Sequence, residues 1–91
     1  VGEMSYNKVQ INVAKEIAPR PSSRDLIRNL LEEKCKGADL IVLDFSGVQF
    51  VSRSFAHELL MYIKKNPDKK LLLLRMNEDV KKMVELVRRQ I

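Results

Sequence analysis

The sequence predicts a small two-layer α/β domain, and three observations carry that prediction. Apolar runs of strand length alternate with segments of helical periodicity, in the order β-α-β-α-β-α. The run Leu40–Leu43 is continuous rather than alternating, as in a parallel strand buried on both faces. The chain has 91 residues, 45% of them hydrophobic, which supplies one core and excludes global disorder. Right-handed crossovers then give a parallel or mixed sheet of three or four strands with helices packed on it. Residues 1–91 form a single domain, with 1–7 expected as a flexible N-terminal extension.

Each element has its own local cause. Val9, Ile11 and Val13 alternate with Gln10 and Asn12, the pattern of a strand with one buried face. Pro19 and Pro21 interrupt regular structure and lead into Ser22-Ser23-Arg24-Asp25, which fits a capping box with Ser22 as cap. The first helix puts Leu26, Ile27, Leu30 and Leu31 on one face, with Gly37 as its C-terminal stop. After the central strand, Asp44-Phe45-Ser46-Gly47 turns the chain, and Val48–Val51 forms a short extended piece. A second helix starts at Ser52–Ser54, buries Phe55, Ala56, Leu59, Leu60 and Ile63, and ends before Asn66-Pro67-Asp68. Leu71–Leu74 reads as another buried strand. Asn77 caps a third helix with Val80, Met83, Val84, Val87 and Ile91 on one narrow face.

Composition narrows the function. One His, one Cys and glycines only at positions 2, 37 and 47 leave no metal cluster and no Gly-rich phosphate loop. No cofactor is expected, and the inventory disfavours an enzyme. Cys35 reads as a packing residue, and a lone cysteine favours a reducing, cytoplasmic setting. No apolar run is long enough to span a membrane, and Val1-Gly2-Glu3 does not open a signal peptide. Asp44 has no partner carboxylate and reads as a turn aspartate accepting backbone N–H bonds near Ser46-Gly47.

The net charge of +5 is uneven. Residues 1–45 hold seven basic and seven acidic residues, whereas residues 46–91 hold ten and five. That asymmetry raises nucleic-acid binding through a basic surface as the alternative function. Two features oppose it: Phe55 belongs to a core face, and the second helix carries only Arg53 before its last turn. Lys34, Lys36, Lys64, Lys65, Lys69, Lys70, Arg88 and Arg89 all fall at helix ends or before a strand, where helix C-termini favour cations. In the expected topology they occupy the edge opposite the strand C-termini.

The segment Leu43-Asp44-Phe45-Ser46-Gly47-Val48, continuing through Ser52-Arg53-Ser54-Phe55-Ala56-His57-Glu58-Leu59, resembles the STAS-like domains of unknown function. Their centre reads as a hydrophobic strand, Asp-Phe, Gly-Val, then a Ser-Phe-Ala-x-Glu-Leu helix start; Ser23-Arg24 is also similar. These domains in turn resemble STAS domains such as the bacterial anti-sigma factor antagonists. The resemblance implies a non-catalytic regulatory module that docks the start of its second helix on a protein partner. A histidine-kinase-type ATPase or a transcription-regulator domain is the implied partner class. In the antagonists a serine at that helix start accepts phosphate and breaks the complex. Here Arg53 takes that place, Ser52 falls where the antagonists have Asp, and Phe55 where they have Gly.

The residues point to the same surface independently. At 100° per residue, Ser54, His57 and Met61 form the outward ridge of the second helix, flanked by Arg53 and Glu58. An exposed Met among polar groups adapts its shape to a partner. The expected contact surface is therefore the loop Ser46–Arg53, with Ser46, Gly47, Ser52 and Arg53, and the ridge Ser54, His57, Glu58 and Met61. Ser54 and Ser52 are candidate phosphorylation sites, with capping the competing role for both.

Overall fold

The computed structural model describes residues 7–18 and 24–91. Three parallel strands pair in sequence order: β1 (Lys8–Asn12), β2 (Leu40–Asp44) and β3 (Lys70–Leu74). Helix α2 (Arg24–Lys34) joins the first two, α3 (Arg53–Lys65) the second two, and α4 (Glu78–Gln90) follows β3. A short helix absent from the expected order, α1 (Val13–Glu16), follows β1 directly. Among the described residues there is no fourth strand and no antiparallel pair.

Crossovers of one hand along a sheet in sequence order put the helices on one face. There α2 packs on α3 and α3 on α4. Two rows of strand residues meet them: Val9, Ile41 and Leu71, then Ile11, Leu43 and Leu73. From above come Ile27 and Leu31 of α2, Phe55 and Leu59 of α3, and Val80 and Val84 of α4. Strand C-termini and helix N-termini share one edge of this sandwich.

Several elements end differently from the sequence pattern, each for a physical reason. Val13 is buried but leaves the strand, because the Asn12 side chain accepts the Lys15 N–H at 3.1 Å and starts α1. Leu26 is 53% exposed, since it lies about 140° round the helix from Leu31. The expected cap Ser22 lies outside the described residues.

Gly37 does not adopt a left-handed backbone and is not the stop of α2, which ends at Lys34. The Lys69 ammonium closes that helix end, donating to the carbonyls of Cys35, Lys36 and Ala38 at 2.9, 2.9 and 2.7 Å. Residues 48–51 form no ladder, although Val48 and Val51 are buried. The third strand is an edge strand rather than a buried one, and its Leu72 is 47% exposed. Asn7, placed by sequence in the extension, is held to the sheet: its N–H donates to Asp39 Oδ2 at 2.9 Å and its carbonyl accepts from Leu40.

Candidate functional site

The strand C-terminal edge is built around the turn after β2. Asp44 closes the strand with its side chain 13% exposed. Its Oδ1 accepts the Ser46 N–H at 2.9 Å, the turn role its sequence predicts, and its Oδ2 accepts from Arg75 Nη1 at 3.0 Å. Gly47 follows with φ of 83°, a conformation that disfavours a Cβ, and a Cβ there would stand 3.4 Å from that of Ala14. Arg75 itself sits at φ 55°, a strained backbone for a residue with a side chain.

Asn77 then ties this loop to the next helix, which goes beyond the capping that its place in the sequence predicts. Its Oδ1 accepts the Val80 N–H at 2.8 Å, capping α4. Its Nδ2 donates to the carbonyls of Val48 and Gln49 at 3.3 and 3.0 Å. With Val48 and Val51 in the core, residues 46–52 are held at several points. Between the two buried valines the loop displays Phe50, 45% exposed. Phe50 lies inside the expected contact loop, and its signal in the sequence is an aromatic between two anchoring valines.

Ser52 is the cap of α3, its hydroxyl accepting the Phe55 N–H at 3.1 Å. The first turn of α3 has no acidic residue, so the positive helix end and Arg53 make this start cationic. Ser46, Gly47, Arg53 and His57 are exposed there, whereas Ser52 and Ser54 are half-buried. Two ridge residues depart from expectation. Met61 is half-buried rather than exposed. Glu58 faces α2 and accepts two bonds from Arg28, at 3.1 Å from Nε and 3.2 Å from Nη2. That hydrogen-bonded carboxylate holds the Arg28 guanidinium above its ordinary pKa. Glu58 therefore belongs to the helix–helix seam.

The seam opens into a groove of about 550 Å³ lined by Arg28, Glu32, Glu58, Tyr62, Lys65 and Lys69, among others. It lies on the helix layer, away from the strand C-termini, and mixes both signs of charge. Burial pushes the Tyr62 phenol above its ordinary pKa and does the same to the Cys35 thiol, which is fully buried. Cys35 thus packs, as its position predicts.

The basic residues are less uniform than their spacing suggests. Lys34, at the last position of α2, pairs with Glu16 of α1. Lys69 directs all three ammonium hydrogens at carbonyls. Lys36, Lys64, Lys65, Lys70, Arg88 and Arg89 are exposed.

Among the described residues, no three His, Cys, Asp or Glu side chains gather as a metal site. No described helix is long and apolar enough to cross a membrane. Set against models of known families, curated proteins and solved structures, the chain matches none.

Proposed function

We propose that this domain is a non-catalytic regulatory module of the STAS-like type that binds a protein partner through the edge carrying residues 46–57. The observation that carries the reading is Phe50: an exposed aromatic ring on a loop tethered by Asp44, Asn77 and two buried valines. A ring held in place loses little entropy on binding, and aromatic residues are enriched at interface hot spots. Arg53 and His57, exposed on the first turns of α3 into which this loop leads, supply the polar rim. The resemblance to anti-sigma factor antagonists gives the partner class, a histidine-kinase-type ATPase or a transcription-regulator domain. Ser54 and Ser52 are the proposed phosphate acceptors. A phosphate on Ser54 would lie in the first turn of α3 next to Arg53, where its charge is favoured. On Ser52 it would displace the cap.

The test is a comparative pull-down with wild-type protein and a Phe50→Asp, His57→Glu double variant, followed by intact-mass analysis after kinase treatment. Both changed residues are exposed, so the fold is retained. A specific partner captured by the wild type and lost by the variant supports the edge; equal retention removes it. Steeply salt-dependent capture of DNA or RNA instead would turn the assignment to the nucleic-acid alternative.

A further inference from the structure

The two edges of the sheet differ. At one, α1 lies against β1, and Ile11 of that edge strand is 1% exposed. At the other, no described strand pairs beyond β3. Leu71 and Leu73 belong to the rows that face the helices yet are only half-buried, and Leu72 between them is 47% exposed.

The backbone of β3 is open on the same side. The Lys70 N–H donates to the Asp39 carbonyl at 2.9 Å, and the Leu74 carbonyl accepts the Phe45 N–H at 2.8 Å. Alternate residues of a strand turn both backbone groups to the same neighbour, so Lys70, Leu72 and Leu74 bond to β2. Leu71 and Leu73 therefore direct their N–H and C=O groups outward, where no described group meets them. Edge strands are ordinarily blunted by Pro, a bulge or a central charge. The strand Lys-Leu-Leu-Leu-Leu carries only Lys70, at its start.

We propose that two copies of this chain pair through the β3 edge, antiparallel, about a two-fold axis at Leu72. The spacing of the outward groups selects the occupant. With the axis there, Leu71 of each copy stands opposite Leu73 of the other. Both are hydrogen-bonded pairs of an antiparallel ladder, and they use all four outward groups of each copy. Leu72 meets its own counterpart in the close pair between them, which covers the exposed side chain. Beyond the ladder, the axis brings Lys69 of one copy toward Arg75 of the other. Lys69 is engaged by three carbonyls and Arg75 by Asp44, which mutes their repulsion. An edge of five residues buries less than the roughly 800 Å² per partner of a standard interface, so the dimer is weak, with a dissociation constant on the order of 100 µM. The proposal uses neither Phe50 nor the loop around it and does not rest on that assignment.

Sedimentation equilibrium of this chain from about 10 µM to about 1 mM should show monomer giving way to dimer. Leu72→Glu sets like charges against each other at the axis and should weaken association at least about tenfold, as should Leu72→Lys. Mixing those two variants should restore dimers, because a contact of position 72 with itself then pairs opposite charges. Under mild oxidation Leu72→Cys should give a disulfide-linked dimer, since the pair at the axis lies within disulfide reach and the native Cys35 is buried. Gln10→Cys, exposed on the β1 edge, should not. Leu72 and Gln10 are both exposed, so melts at about 10 µM, where the monomer dominates, should match the wild type. The Phe50→Asp, His57→Glu double variant should dimerise as the wild type does; its failure to do so would place the contact on the other surface and overturn the proposal. A monomer throughout the concentration range would overturn it too, as would a dimer indifferent to both charged variants or a mixture no more associated than either alone. Equal cross-linking through Gln10→Cys, or growth beyond the dimer, would count equally against a closed two-fold at Leu72.

Discussion

Replacing Asn77 separates two roles that one side chain performs. In Asn77→Ala the α4 cap is lost, which costs about 1 kcal/mol. The two Nδ2 bonds to the Val48 and Gln49 carbonyls are also lost; being partly exposed, they contribute about 0.5 kcal/mol each. The total of about 2 kcal/mol lowers the melting temperature of a domain this size by about 8–16 °C. Asn77→Asp is the sharper perturbation. Aspartate caps as well as asparagine and gains about 0.3–1 kcal/mol from the helix dipole. It has no N–H to offer and turns a carboxylate toward two carbonyls. If the loop tether matters, Asn77→Asp is less stable than wild type at pH 7 by about 1 kcal/mol. Urea denaturation reads the stability, and amide exchange at Gln49 and Phe50 reads the loop, which should open faster in both variants. An Asn77→Asp protein as stable as wild type, with unchanged exchange, would refute the tether and weaken the case for a pre-positioned Phe50.

Three further outcomes follow from the same geometry. Lys69→Met keeps the aliphatic stem but strips three donors from the end of α2, and should cost about 2 kcal/mol in urea denaturation; Lys69→Arg should restore only part, because a planar guanidinium cannot form the same tripod. At Arg75, Gly relieves the φ of 55° while Ala does not, and both lose the ion pair to Asp44; Arg75→Gly should therefore exceed Arg75→Ala in stability by about 1 kcal/mol. Burial raises the Cys35 thiol above its ordinary value of 9.0, so the unfolded chain releases its proton first as pH rises. Stability should fall as pH climbs past 9 toward the raised native value, and Cys35→Val should flatten that fall. The buried phenol of Tyr62 adds a similar loss from its ordinary value of 10.0 upward. Below pH 9 neither group should change stability, and Cys35 should react with a thiol reagent far more slowly in the native protein than in urea.

The caps show what was legible in the sequence. Ser52 before a helical apolar face, Asn77 before Glu78-Asp79, and Asp44 two residues before Ser46 each satisfy a backbone N–H within three residues. Glu58 shows the opposite case. The helical period put it on the flank of an exposed ridge, yet its partner Arg28 lies 30 residues away on α2. Phe50 stood in the expected contact loop, but its prominence depends on Val48 and Val51 both reaching the core and on Asn77 reaching back across the sheet edge.

The sequence by itself determined the α/β class, the alternation of three strands with three of the helices around one central buried strand, the caps Ser52 and Asn77, and the core faces apart from Leu26. These follow from periodicity and from bonds between residues a few positions apart, which the local chain imposes wherever it lies. Tertiary structure alone decided that β3 is an edge, that Lys69 closes the end of α2 and that Lys34 belongs to Glu16. Those outcomes depend on which distant segments the crossovers bring together. A charge or a leucine carries no local mark of the neighbour that will occupy it.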